Sequence, residues 1–132
     1  MPACAGMTKG DLVGYNSVFK PGLFAGQTII VTGGGSGIGR CTAHELASLG
    51  AFVVLVGRKP DKLDRVAAEI REDGGQCMTV AFDIRDEDAV RAGIKQVVAE
   101  RKQIHALVNN AGGQFPSPAM MISKKGWEAV VA

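Results

Sequence analysis

The sequence has few cysteines and no long apolar run. Its three cysteines, Cys4, Cys41 and Cys77, show no CxxC spacing and no neighbouring histidine cluster, which argues against a disulfide framework and against a zinc site. No apolar stretch approaches the ~20 residues that a membrane-spanning helix needs. We therefore predict reduced thiols, no metal, no membrane partner and a cytoplasmic location.

The chain also lacks an excess of charge of one sign. Its 15 basic and 13 acidic residues give a formal net charge of +2, and they are interspersed, which argues against a nucleic-acid partner. A hydrophobic content of 46% in 132 residues fits one domain with a sizeable core and excludes a disordered tail. Glycine is abundant, at 18 residues, about double the ordinary usage. Its short clusters indicate tight backbone turns around a ligand.

Strand and helix patterns alternate from Gln27 onward. Residues 1–26 are predicted to be an irregular N-terminal segment and residues 27–132 one folded domain. The β-α-β-α-β-α-β order requires parallel strands and right-handed crossovers. It predicts a three-layer, doubly wound α/β sheet with strand order 3-2-1-4, in which the fourth strand is an exposed edge. The predicted strands are Thr28–Thr32, Phe52–Val56, Met78–Phe82 and Ala106–Asn109.

Helical periodicity predicts which side chains of the helices face the sheet. Gly50 and Gly74-Gly75 are expected to end the first two helices, Pro60 to open the second, Asp86 to cap the third and Ser123 to open a fourth. The predicted apolar faces are Ile38, Cys41, Thr42, Leu46 and Leu49 in the first helix, Leu63, Val66, Ala67 and Ile70 in the second, and Val90, Ile94, Val97 and Val98 in the third.

A glycine-rich turn, Thr32–Gly39, joins the first strand directly to the first helix. Gly33 is expected to allow the tight turn, Gly37 to let the backbone approach a pyrophosphate, and Gly39 to let the helix pack closely on the strand. The N-terminus of the helix then offers unpaired N–H groups and a partial positive charge to phosphates. The turn predicts a dinucleotide site.

The second strand is followed by Gly57-Arg58-Lys59 and by no carboxylate. An acid at this position would bind the ribose 2′-OH of NAD, whereas the planar Arg58 guanidinium, with Lys59 beside it, suits the 2′-phosphate of NADP. Arg40, just after the glycine turn, is expected to add charge. The alternative is that these are solvated surface charges. We predict NADP(H) as the cofactor in preference to NAD.

Two further motifs close the third and fourth strands. Asp83-Ile84 offers a carboxylate to the adenine amino group, with capping of the next helix as the alternative. Asn109–Gly113 follows the fourth strand, which lies beside the first in this topology. Ligands of doubly wound folds bind at that switch point, outside the carboxyl ends of the strands.

With these three motifs in this order, the chain resembles the short-chain dehydrogenases/reductases from Leu23 onward. The resemblance implies a Rossmann fold, an NAD(P) cofactor and hydride transfer to or from a small-molecule substrate, in a protein that forms homo-oligomers. It implies that the pyrophosphate is held by Gly33, Ser36, Gly37, Ile38 and Gly39, the 2′-phosphate by Arg58 and Lys59, the adenine by Asp83 and Ile84, and the ribose and nicotinamide side by Asn110, Ala111 and Gly112.

Within that family, Gly112–Ala119 and Ile122–Trp127 are similar to the peroxisomal trans-2-enoyl-CoA reductase and 2,4-dienoyl-CoA reductase branch, and also to bacterial terpenoid-alcohol dehydrogenases. An enoyl-CoA thioester is therefore the first expected substrate, and an alcohol/ketone pair is the alternative.

The catalytic Tyr-x-x-x-Lys pair and the Ser of that family have no counterpart in the sequence. Its one tyrosine, Tyr15, precedes the first strand, and Lys20 follows it at the wrong spacing. We therefore predict no catalytic residue within these 132 residues and no activity from them alone. We expect them to be the amino-terminal half of a longer enzyme. The alternative is a non-catalytic dinucleotide-binding protein.

Overall fold

Four parallel strands form one sheet in the computed structural model of the chain, which describes residues 17–131. Cys4, Tyr15 and most of the predicted N-terminal segment lie outside these residues. The strands run in the order β3-β2-β1-β4, so the predicted Rossmann-type fold and strand order are confirmed. Their bounds are β1 Thr28–Thr32, β2 Phe52–Gly57, β3 Gln76–Ala81 and β4 Ala106–Val108.

Four helices follow the strands, α1 Gly37–Ser48, α2 Pro60–Glu72, α3 Glu87–Arg101 and α4 Lys124–Val131, with a 3₁₀ turn at Ala119–Met121. The predicted caps are present: the Asp86 carboxylate accepts a hydrogen bond from the Ala89 N–H at 3.0 Å, and the Ser123 hydroxyl accepts one from the Gly126 N–H at 3.0 Å. None of the helices in residues 17–131 combines the length and the apolar character that crossing a bilayer requires.

Helices cover both faces of the sheet, and each face has its own apolar core. Alternate residues of a strand point to opposite faces, so Ile29 and Val31 join one core and Ile30 joins the other. The first core includes Leu63, Val66, Ala67 and Ile70 of α2, and the second includes Val97 of α3. All five residues of β1 are buried, as expected for a central parallel strand.

The predicted helix faces differ from the structure in two helices. Ile38 is 77% exposed, and Val98 is 43% exposed. The buried residues of α1 are Gly39, Ala43, His44 and Ala47, because this helix lies close to the sheet and presents mainly small residues to it. The third strand also begins two residues earlier and ends one residue earlier than predicted, since Gln76 pairs with Phe52 and Ala81 pairs with Gly57.

Hydrogen bonds join the amino end of the short strand β4 to the start of β1. At the amino end, the Thr28 N–H donates to His105 Nδ1 and the His105 N–H donates to the Thr28 carbonyl, each at 2.9 Å. On its other side β4 has no strand partner among residues 17–131, and Leu107 is 53% exposed. The predicted exposed edge is therefore present in this part of the chain.

Candidate nucleotide-binding site

The Thr32 hydroxyl connects the carboxyl ends of β1 and β4. It donates to the Val108 carbonyl at 3.1 Å and accepts from the N–H groups of Asn110 and Ala111 at 3.0 and 2.9 Å. The Asn110 side-chain amide donates to the Thr32 carbonyl at 2.9 Å. Thr32 is 8% exposed, so these polar groups pair with one another in place of water. The two loops that follow β1 and β4 are thereby held side by side.

Gly33 and Gly39, in the turn between β1 and α1, are needed for different reasons. Gly33 has φ +69°, a backbone conformation that strongly favours glycine. A Cβ at Gly39 would overlap the Gly33 carbonyl oxygen and lie 2.5 Å from Asn110 Nδ2. Gly39 therefore permits the close approach of α1 to the end of β1.

The start of α1 is left open for a ligand. Ser36 precedes the helix in extended conformation without a side-chain capping bond, and the first turn carries no acidic residue. A Cβ at Gly37 would have no neighbour within 4 Å. The N–H groups of a first helical turn have no partner within the helix and carry partial positive charge. This end of α1 has the space and the electrostatics to receive a phosphate.

An open cleft of about 530 Å³ lies at the carboxyl edge of the sheet, within the size range of small-molecule sites. It brings together residues from the ends of β1, β2 and β3, the start of α2 and the segment after β4. The predicted site residues that line it are Gly33, Ser36, Arg58, Lys59, Asp83, Ile84, Asn110, Ala111 and Gly112.

Three predicted site residues, Gly37, Ile38 and Gly39, do not line this cleft. They form the first turn of α1, in which Gly39 is buried and Ile38 points outward. The prediction that Arg40 adds charge to the site is wrong. Its guanidinium forms two hydrogen bonds with the Glu69 carboxylate, at 2.8 and 2.7 Å, so its charge is used to join α1 to α2.

The cleft has additional lining residues that the sequence analysis did not identify: Gly35, Gly57, Lys62, Leu63, Phe82, Arg85, Gly113, Ala129 and Val130. Lys62 and Arg85 add two cations. Lys62 lies two residues after the start of α2, and Arg85 lies two residues before the start of α3. Both helices start at the same edge of the sheet, so the position of these residues in the βαβ pattern could have indicated that they belong to the site.

The ionisable residues that line the cleft are mainly basic. Four cations, Arg58, Lys59, Lys62 and Arg85, accompany one carboxylate, Asp83. Hydrogen bonds from the Arg85 side chain and backbone hold the pKa of Asp83 well below its usual range, and the charge of Arg58 adds to this effect. Asp83 is therefore ionised throughout the neutral and mildly acidic range. An anionic ligand faces an excess of positive charge in this cleft.

The arrangement fits an anionic ligand such as the pyrophosphate of a dinucleotide. The N-terminus of α1 has no side-chain cap, and the glycine turn leaves free space at Gly37. Arg58 and Lys59 form a basic edge of the cleft directly after β2. Within the described part of the chain, no three His, Cys, Asp or Glu side chains are grouped as a metal site would require. The site can bind and orient an anionic cofactor with its own backbone and cationic side chains.

Most of the chain matches the model of a known protein family. The family model described as short chain dehydrogenase matches residues 27–132. The solved structure of the citronellol catabolism dehydrogenase AtuB of Pseudomonas aeruginosa PAO1 is 65% identical, with a TM-score of 0.83, and the match covers 88% of this chain and 47% of that one.

Two further examples illustrate the similarity to known proteins. A metagenomic short-chain oxidoreductase solved in complex with NADP is 40% identical, with a TM-score of 0.75, over 81% of this chain and 49% of that one. A Bacillus subtilis (strain 168) protein named "Probable 2,4-dienoyl-CoA reductase [(2E)-enoyl-CoA-producing]" is 36% identical over 80% of this chain and 41% of that protein. The chain thus spans less than half the length of these relatives.

Thr32→Val tests the junction between β1 and β4. Valine has nearly the same shape but leaves the N–H groups of Asn110 and Ala111 without their acceptor, so we expect a loss of about 2–4 kcal/mol in the free energy of unfolding. Thr32→Ser keeps the hydroxyl and should lose less than about 1.5 kcal/mol. Urea unfolding of the native protein that carries this chain measures both. Equal losses in the two variants would show that the hydroxyl does not hold the junction.

Proposed function

This chain belongs to the short-chain dehydrogenase family, and we propose that its cleft binds NADP(H) in an oxidoreductase. The observation that carries the cofactor assignment is the set of cations at the carboxyl edge of the sheet. Arg58 and Lys59 follow β2 directly, and Lys62 lies in the first turn of α2. No carboxylate stands at the end of β2, where one would bind the ribose 2′-OH of NAD.

Each part of the cofactor is assigned to a different group of residues in this proposal. Gly33, Ser36 and the first turn of α1, which contains Gly37, Ile38 and Gly39, would hold the pyrophosphate. Arg58 and Lys59 would hold the 2′-phosphate, Asp83 and Ile84 would contact the adenine, and Asn110, Ala111 and Gly112 would line the ribose and nicotinamide side. When bound, the cofactor supplies the hydride donor or acceptor. This proposal gives the chain binding and orientation of the cofactor, and it assigns proton transfer to none of its residues.

A solved relative supports the choice of NADP. The metagenomic oxidoreductase at 40% identity was solved with NADP. The basic edge after β2 and this relative point to the same cofactor.

The substrate classes are supported by different relatives. The 65% identical protein is named a citronellol catabolism dehydrogenase. Citronellol is a primary alcohol, so this name favours an alcohol and its carbonyl product, here an aldehyde in place of the expected ketone. The 36% identical protein is named as a probable 2,4-dienoyl-CoA reductase, which favours an enoyl-CoA thioester. Because sequence identity is much higher to the first, we propose an alcohol/carbonyl pair first and the thioester second.

Steady-state assays of the native protein separate these classes. We expect a higher kcat/KM for a terpenoid alcohol with NADP⁺ than for a 2-enoyl-CoA thioester with NADPH. The reverse order would support the thioester. Cofactor binding without turnover of either substrate would favour the non-catalytic dinucleotide-binding alternative.

Arg58→Ala tests the cofactor assignment. The substitution removes a charge-assisted contact that only the 2′-phosphate makes, worth about 1.5–3 kcal/mol. Fluorescence titration of the native protein should therefore show an increase of about 10- to 100-fold in the Kd of NADPH, with the Kd of NADH changed less than about twofold.

Arg65→Ala is the matched control for this experiment. Arg65 is an exposed arginine of α2 that does not line the cleft, and its removal changes the net charge by the same amount. It should leave both dissociation constants unchanged. Equal weakening of NADPH and NADH by Arg58→Ala would contradict the assignment.

A further inference from the structure

Arg85 and Asp83 form a closed ion pair at the end of β3. The Arg85 side chain donates from Nε to Asp83 Oδ1 at 3.0 Å and from Nη2 to Oδ2 at 2.7 Å. The Arg85 backbone N–H also donates to Oδ1 at 3.0 Å. Three hydrogen bonds thus fix the carboxylate, and both of its oxygens face the guanidinium. Bidentate pairs of this kind are stronger and geometrically better defined than single contacts.

This pair lies in the same cleft as the cations that follow β2. Asp83 and Arg85 line it together with Arg58, Lys59 and Lys62. The charge of Arg58 contributes to the lowered pKa of Asp83, so these two side chains act on each other through space. A negative charge on Asp83 therefore also repels an anion bound next to Arg58.

We propose that Arg85 is a specificity-determining residue, because it neutralises the one carboxylate among the described lining residues and so prevents that carboxylate from repelling the 2′-phosphate of NADP(H). The inference rests on the proposed function. It gives Arg85 a positioning role that acts through Asp83, and it requires no contact between Arg85 and the phosphate.

The ion pair remains compatible with an adenine contact. An ionised carboxylate offers about four lone-pair positions, and Arg85 uses three of them. The Asp83 side chain is 30% exposed, which leaves it accessible from the cleft. Asp83 can therefore accept a further hydrogen bond from an amino group while its charge is balanced.

Two nucleotides isolate the effect of the 2′-phosphate. Adenosine 2′,5′-bisphosphate (2′,5′-ADP) carries the 2′-phosphate, and 5′-AMP lacks it, so the ratio of their affinities measures its recognition without any catalytic step. In calorimetric titrations of the native protein, Arg85→Ala should weaken 2′,5′-ADP by about 3- to 10-fold and 5′-AMP by less than twofold at low ionic strength.

A double-mutant cycle with Asp83→Asn identifies the route of the effect. The asparagine side chain can still accept a hydrogen bond from adenine but has no charge to neutralise. In the Asp83→Asn background, Arg85→Ala should therefore change the affinity for 2′,5′-ADP by less than twofold. An unchanged 3- to 10-fold loss in that background would overturn the proposal, since Arg85 would then act on the phosphate directly.

Arg91→Ala is the matched control. Arg91 forms hydrogen bonds with the Glu87 carboxylate at 3.2 and 2.6 Å, also through Nε and Nη2, on the exposed surface of α3. It does not line the cleft. Its removal should leave the affinities for both nucleotides unchanged. A loss equal to that of Arg85→Ala would show that only the net charge of the protein matters, which would also overturn the proposal.

The outcomes separate this inference from the proposed function. If the native protein binds 2′,5′-ADP no better than 5′-AMP, the NADP(H) assignment fails and the role of Arg85 fails with it. If the native protein prefers 2′,5′-ADP and Arg85→Ala keeps that preference, the role of Arg85 alone fails.

The pKa of the Asp83 carboxyl, measured in the absence of nucleotide, tests the ion pair directly. NMR titration of the Asp83 carboxyl in Arg85→Ala should show its pKa raised toward the ordinary value of about 3.9. A pKa that stays as low as in the native protein would show that Arg85 does not hold the carboxylate, and the proposal would be wrong.

Discussion

The Thr32 hydroxyl is the contact on which the geometry of the site depends. It lies at the end of the central strand β1, and its bonds to Val108, Asn110 and Ala111 join the loop after β1 to the loop after β4. Gly39 brings α1 against the same junction. The loop that leads into α1 and the segment after β4 are therefore held beside one cleft before any ligand binds. Such preorganisation reduces the entropy that binding must overcome.

The charges of the cleft come from the neighbouring strands. The end of β2 and the first turn of α2 supply Arg58, Lys59 and Lys62, and the end of β3 supplies Asp83 with Arg85. Parallel strands place all these ends at one edge of the sheet, so the topology concentrates the cations where a phosphate would bind. The pairing of Asp83 with Arg85 leaves the other cations available to an anion. The backbone of the glycine turn and these side chains thus both favour a ligand that carries phosphate groups.

The fold and half of the residues that line the cleft could be predicted from the sequence because their signals are local. A β-branched strand, a glycine turn and a helix start are contiguous in Thr28–Gly39, and strand order follows from crossover rules. The partners of Thr32 lie more than 70 residues away in the chain, so its role became visible only when the strands were paired. The partner of Arg40, Glu69, is on another helix, and an isolated arginine near the turn gave no sign of it. Ile38 is apolar but exposed, because the small residues Gly39, Ala43 and Ala47 face the sheet.

The claim that this cleft is an NADP(H) site is tested most directly by a crystal structure of the native protein grown with NADPH. The account predicts the pyrophosphate at the first turn of α1, and the 2′-phosphate about 2.7–3.0 Å from the Arg58 guanidinium, as in charge-assisted hydrogen bonds. It also predicts that the Asp83–Arg85 pair stays closed in the complex. A 2′-phosphate in solvent without a contact to Arg58, or an adenosine bound outside the cleft, would contradict it.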